Sequence, residues 1–272
     1  MTVSKIWVLG EATDGTVSNT TLEILAKARE LADTVEVVTT AGADLAGPAG
    51  ANGATKVLNV PGTDGKLAGP AVAGAIAAAV EAGNGPDVVF IATSYDGRDV
   101  AGRLSVKLDA PVITNITNLV ERDGGLAGVE PVFGGTTDVY TKFTGDKVKI
   151  FLIRPKSFAA EETGGGAAPV EDLTVPDLGA TGTATVTNRF VEEKTGPSLD
   201  DADIVVSGGR GLGEQTGFEM IETLAMASAR PTSTPWSRSW PRCSAPPPAP
   251  PGPSWTPAGC PTRTRWARPA RS

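Results

Sequence analysis

Asp87-Val88-Val89-Phe90-Ile91-Ala92 is the most apolar short run in the chain. It is too short for a helix and has no polar alternation. A run of this kind predicts a strand buried on both faces, near the centre of a parallel sheet. Its neighbours fit that reading. Leu67 to Ala82, almost wholly Ala and Val, and Asp99 to Leu108 have helical spacing on either side of it.

The same alternation extends toward the N-terminus. Lys5-Ile6-Trp7-Val8-Leu9 is a short strand closed by Gly10, Val35 to Thr39 is a second, and Lys56 to Val60 a third. Between the first two, Leu22, Ile24, Leu25, Ala28 and Leu31 recur at helical intervals, with Thr20 or Thr21 as the expected N-cap. Residues 41–53 are rich in Gly and Ala and are ambiguous. This β-α repetition predicts a Rossmann-like, mostly parallel sheet with helices on both faces.

After Pro111 the pattern changes. Val112 to Val120, Leu126 to Phe133, Thr137 to Phe143 and Val148 to Ile153 are strand-like, separated by Gly124-Gly125, Gly134-Gly135 and Gly145-Asp146. Short glycine connections predict antiparallel hairpins at one edge of the sheet. Residues 157–182, with three consecutive glycines and two prolines, predict a poorly packed linker. Thr183 to Val191 reads as a strand. Ala202 to Ser207 is a further buried strand, running into Gly208-Gly209-Arg210-Gly211, and Phe218 to Ala225 opens a helix. The expected organisation is an α/β domain over 1–156, a linker over 157–182, the start of a second α/β domain over 183–225, and a tail over 226–272.

Composition bounds the chemistry. The 272 residues suffice for one large domain or two ordinary ones. Histidine is absent, which removes a His general base, a Ser-His-Asp triad and His-ligated metals. Cys243 and Cys260 are too few for a disulfide scaffold or a four-cysteine zinc site. No run approaches the ~18 apolar residues of a membrane span. The N-terminus lacks the pattern of a secretory signal, so a cytoplasmic protein is expected. The net charge of −7 hides an asymmetry: residues 226–272 carry seven Arg and no acid, so the remainder carries −14. This tail also holds 12 of the 22 Pro and four of the five Trp, and no Leu, Ile, Val, Phe or Tyr. Without branched aliphatics it builds no core.

The tail has three readings. It is a disordered basic arm for acidic partners or nucleic acid, a polyproline docking segment around Pro246-Pro247-Pro248, or a wrong reading frame of a GC-rich gene. Its vocabulary of Ala, Arg, Pro, Ser, Thr, Trp and Gly suits the last.

The turn after Ser207 carries the most chemistry. Glycines between a strand and a helix admit a ligand close to the backbone, and amides at the helix start favour anions. Arg210 adds a fixed charge and a planar donor fork. Alternatively this is a plain glycine turn with a solvated Arg. It is neither a P-loop nor a G-x-G-x-x-G fingerprint. Tyr95-Asp96-Gly97-Arg98-Asp99, at the end of the central strand, could hold a nucleotide phosphate. The structural reading there has Gly97 for the turn and Asp96 or Asp99 as N-cap.

Asp203-Ile204-Val205-Val206-Ser207-Gly208-Gly209-Arg210-Gly211-Leu212 closely resembles the signature that opens the flavin domain of electron transfer flavoprotein alpha subunits. Ile6 to Glu11 resembles their first strand, Ala110 to Ile116 the entry to their β-rich edge, and Ile153 to Phe158 the end of their first domain. The resemblance covers about residues 1–225. It implies an electron carrier rather than an enzyme. It also implies an FAD site in the second domain, with Arg210 over the flavin ring and Gly208, Gly209 and Gly211 at the cofactor. The implied partners are a beta subunit in a heterodimer, acyl-CoA-type dehydrogenases as donors, and a quinone oxidoreductase leading to the respiratory chain. No nucleic acid and no membrane insertion are implied. The alternative from another class is a nucleotide-binding α/β module whose basic tail docks on acidic partners.

The family's later flavin motifs, G-A-S-R-A-x-x-D-A-G-W and Q-V-G-Q-T-G, are missing after Ala225. Read one base late, however, Ala249 through Arg271 are compatible with G-A-S-R-A-V-V-D-A-G-W-V-P-Y-x-x-Q-V-G-Q-T-G-K. Two positions in that reading are forced: Trp255 before Thr256 yields Asp, and Trp266 before Ala267 yields Gly. Residues after about 225 are therefore expected to be a frameshifted translation of the FAD-binding core, and the chain as written is expected to bind FAD poorly.

Overall fold

The computed structural model describes residues 3–13, 16–188, 190, 202–213, 215–228 and 265–269. The chain divides into two compact units, residues 1–188 and 189–272.

The first unit is laid down as β1 (Val3–Leu9), a small hairpin β2 (Ala12–Thr13) and β3 (Thr16–Val17), α1 (Asn19–Leu31), β4 (Ala32–Thr39), α2 (Ala46–Ala51) and β5 (Lys56–Asn59). Then come α3 (Ala68–Glu81), β6 (Val88–Ala92), α4 (Tyr95–Leu108), β7 (Val112–Ile116), β8 (Asn118–Arg122), β9 (Gly125–Val132), β10 (Thr137–Lys142), β11 (Lys149–Ile153) and β12 (Val170–Asp172). Seven strands form one sheet in the order β12-β5-β4-β1-β6-β11-β7, and every pair is parallel.

Alternating strand residues feed two separate cores. Ile6, Val8, Phe90, Phe151 and Ile153 face α1, whereas Trp7, Leu9, Ile91, Ile150 and Leu152 face α3 and α4. This two-sided burial is why β6 reads as one continuous apolar run. Phe151 is the hinge of the first core, edge-on to Phe90 at 5.8 Å and to Phe143 at 5.0 Å between ring centroids. The small residues of α3 allow it to lie close to its neighbours. A Cβ on Gly74 would stand 2.9 Å from Leu178, in the segment that leads out of the unit.

The antiparallel part is a separate sheet, β10-β9-β8, rather than an extension of the main one. Its β8–β9 turn holds Asp123 and Gly124 with φ of 50° and 73°, the paired positive φ of a tight hairpin. The glycine pairs thus predict hairpins correctly at β8–β9 and β9–β10. They do not for Val112 to Ile116 or for Val148 to Ile153. Both of these lie parallel in the main sheet, with β11 inserted between β6 and β7. Ile150 to Ile153 are buried on both faces, and only an interior position supplies that. The expected strand from Val112 to Val120 is interrupted at Thr117, just after Asn115 with φ of 61° bends the end of β7, and β7 and β8 enter different sheets.

The expected loose linker is also built in. Glu171 of β12 pairs with Lys56 at 2.7 Å, Ala168 is buried, and Leu173, Val175 and Leu178 pack on the second core. The expected strand from Thr183 is reduced, among the described residues, to one bridge between Thr185 and Lys66. Val191 lies outside the described residues.

The second unit contains β13 (Ala202–Ser207), α5 (Phe218–Ser228) and β14 (Arg265–Pro269). Strands β13 and β14 pair antiparallel, with Val206 opposite Trp266. Backbone pairing needs no branched aliphatics, so a tail without them still supplies a strand partner. The remainder of 229–272 lies outside the described residues.

Candidate functional site

The strand-to-helix turn of the second unit starts at Ser207, where β13 ends. Arg210 to Leu212 form a single 3-10 turn, closed by the Leu212 amide donating to the Gly209 carbonyl at 3.1 Å. Gly213 follows with φ of 77°, a second 3-10 turn spans Gln215–Gly217, and α5 begins at Phe218. The glycines do different jobs. A Cβ on Gly208 would strike the Leu212 side chain and stand 3.0 Å from Phe218 and 3.3 Å from Ile221, so Gly208 lets the strand end close onto α5. Gly209 and Gly211 have nothing within 4 Å of a would-be Cβ. Their backbone is open to a ligand. The Arg210 guanidinium lies outside the described part of the structure.

Gly213 and Gly217 were not singled out by the sequence reading. A Cβ on Gly217 would stand 2.6 Å from the Leu212 carbonyl oxygen. Their spacing behind the motif was the available signal.

A planar ring or a phosphate could approach the backbone at Gly209 and Gly211. Among the described residues of this unit, the buried side chains Phe218, Ile221 and Ala225 serve the packing of α5.

The second candidate, Tyr95 to Asp99, is differently arranged from the expectation. Ser94 is the N-cap of α4: its hydroxyl accepts from the Gly97 amide at 2.8 Å. Asp96 and Asp99 lie inside the helix. Instead, the two Asp99 carboxylate oxygens share the Arg103 Nε–H, at 2.9 and 3.0 Å. Gly97 is also helical; a Cβ there would collide with the Ala92 carbonyl oxygen and stand 2.9 Å from Ser94 Oγ. It serves close helix-to-strand approach, not a turn. The cap of α1 is likewise Ser18, accepting from the Thr21 amide at 3.2 Å, rather than Thr20 or Thr21.

One residue that the sequence reading did not single out stands beside this second turn. Glu11 follows β1, and its carboxylate accepts a hydrogen bond from the Ser94 hydroxyl. Burial pushes the Glu11 carboxyl above its ordinary range; the Ser94 bond opposes that shift and neighbouring Asp96 adds to it.

Residues 6–178 match the sequence model of the electron transfer flavoprotein domain. The electron transfer flavoprotein subunit alpha of Mycobacterium leprae is 31% identical over 240 aligned positions, taking in 80% of this chain and 68% of that protein. The chain belongs to the electron transfer flavoprotein alpha-subunit family. Within the family, the alpha subunit of Paracoccus denitrificans is 31% identical over 81% of this chain and 70% of its own length. The protein FixB of Clostridium saccharobutylicum is 26% identical over 81% and 68%. The family is one of flavin-linked electron carriers, and its alpha subunits pair with a beta subunit. Among the described residues no helix is long and apolar enough to cross a membrane.

Proposed function

We propose that this chain is built as the FAD-carrying alpha subunit of a cytoplasmic electron transfer flavoprotein. It pairs with a beta subunit and passes electrons from acyl-CoA-type dehydrogenases to a quinone oxidoreductase and the respiratory chain. It transfers electrons and is not itself an enzyme. The observation that carries the reading is the turn at 208–211, where Gly208 closes the strand onto α5 and leaves Gly209 and Gly211 open. Bound FAD would supply reversible electron storage. The chain's own part is to seat the ring edge on that backbone and to set the Arg210 charge beside it.

As written, the chain is expected to hold FAD poorly. One charge-assisted contact contributes about 1.5–3 kcal/mol, whereas micromolar affinity needs about 8 kcal/mol. From its composition, a tail without branched aliphatics is not expected to order a pocket that makes up the difference. The frameshift reading is supported by proportion as well as by codons. The relatives align over 80–82% of this chain, and residues 1–225 are close to that share of it.

Flavin absorbance after dialysis tests both halves. The chain as written should lose its flavin, and a frame-repaired chain should keep one FAD per subunit. Stoichiometric FAD in the unrepaired chain would overturn the defect. A repaired chain without flavin would overturn the FAD role itself. If the intact mass matches an uninterrupted gene and the chain binds polyanions in a salt-sensitive way, the docking-arm reading of the tail prevails.

A further inference from the structure

The main sheet reverses its order between β1 and β6. From β1 it grows outward through β4 and β5, and from β6 it grows the other way through β11 to β7. In open α/β sheets, ligands lie outside the carboxyl ends of the strands at such a reversal. Here those ends deliver Gly10-Glu11 from β1 and Thr93-Ser94 from β6.

Both ends are tightly built. A Cβ on Gly10 would stand 2.5 Å from Val37 and 2.8 Å from Leu45, and Gly97 brings the start of α4 against the end of β6. The space between them is occupied by the protein itself. The Ser94 hydroxyl, while capping α4, donates to the Glu11 carboxylate. The Glu11 amide donates to Thr21 Oγ1 at 3.1 Å, and that hydroxyl bonds Ser18 Oγ, the cap of α1, at 2.9 Å. Glu11 therefore joins the caps of both helices that open onto the reversal.

We propose that Glu11 is an internal ligand: its carboxylate holds the crevice between β1 and β6 and closes it to nucleoside phosphates. Three features support this. The carboxylate already takes the Ser94 donor that a phosphate would need. Asp96 stands close enough to add a second negative charge, so an incoming phosphate meets repulsion as well as an occupied donor. Glu11 is half-buried, which keeps its carboxylate partly withdrawn from water and seated in the crevice. The inference concerns the first unit alone and does not depend on the flavin turn of the second.

The test is calorimetric titration of the full chain with ADP at neutral pH. Glu11→Ala and Glu11→Gln are compared with the wild type, and the amide shifts of Gly10, Thr21 and Gly97 locate the binding. Wild type should show no saturable binding at this crevice. Glu11→Ala should bind ADP saturably, at least about tenfold more tightly than the weakest affinity the titration detects, as expected when like charge is removed. Glu11→Gln keeps an acceptor for Ser94 while losing the charge, so it should fall between the two. Should Glu11→Ala fail to fold, Glu11→Gln carries the test alone. Equal binding by wild type and variants, no binding by either variant, or binding that leaves those three amides unmoved would each overturn the proposal.

Discussion

The two units contain the same local device, a strand running through a short turn into a helix, and it comes out differently in each. In the first unit β6 has strands on both sides, all five of its residues are buried, and α4 starts directly from the Ser94 cap. In the second unit, among the described residues, β13 pairs with β14 alone, Ile204 and Val205 are about two-fifths exposed, and α5 buries three of its eleven residues. Met220, Leu224 and Met226 on that helix face water. Glycine chemistry suffices to make the turn in both places. What differs, among the described residues, is the number of layers that cover it, and burial between layers is the main source of stability.

That contrast can be broken by matched truncations. Phe151→Ala should cost about 3–5 kcal/mol, because it removes the shared partner of Phe90 and Phe143 from a closed core. The readout is the denaturant midpoint of the first unit's transition, and an unchanged midpoint would mean that its core is looser than its packing implies.

A smaller effect tests how the first unit holds its exit from the sheet. The Glu23 carboxylate accepts from the Lys156 amide and from Asn19, both at 2.8 Å, and so ties the turn after β11 to α1. Glu23→Gln should cost about 1 kcal/mol in the same unfolding measurement. It should also change the pH dependence. Burial raises the Glu23 carboxyl above its ordinary 4.5, so the folded state binds this proton more readily than the unfolded state. The wild-type contribution therefore falls as pH rises from 4.5 through the folded value, whereas the glutamine variant is flat over that window. The gap between the two should narrow with rising pH; a gap that widens would refute the assignment.

The smallest effect sharpens the comparison from the other side. Ile221→Ala removes one of the few buried side chains of α5. It should shift the first unit's transition by less than about 0.5 kcal/mol, as expected of sites in separate units. Hydrogen exchange adds the local view: amides of β6 should exchange only through global unfolding, and those of α5 through cheap local opening. Protection of α5 equal to that of β6 would erase the distinction between the units.

Much of the first unit was legible because its signals are local. An apolar run five residues long, Val88 to Ala92, can only be a strand buried on both faces, and the Ala/Val series of α3 can only be a helix lying close to a sheet. The motif from Ser207 to Leu212 was legible for the same reason, since its glycines sit between a strand and a helix in the sequence itself. The caps were not. Ser18 and Ser94 compete with neighbouring Thr20, Thr21, Asp96 and Asp99, all with suitable side chains. The choice falls to whichever hydroxyl the end of the preceding strand brings over the first free amides.

The sequence by itself determined the alternation of strand and helix, the two glycine hairpins, the family and the glycine turn of the second unit. Each of these depends on residues adjacent in the chain or on a motif a few positions long. Only the tertiary structure decided that β11 slots between β6 and β7, that residues 170–172 complete the far edge of the sheet, and that Glu11 meets Ser94. Those pairings join residues from 37 to 113 positions apart. They are selected by which faces must be buried together, and chain distance carries no record of that.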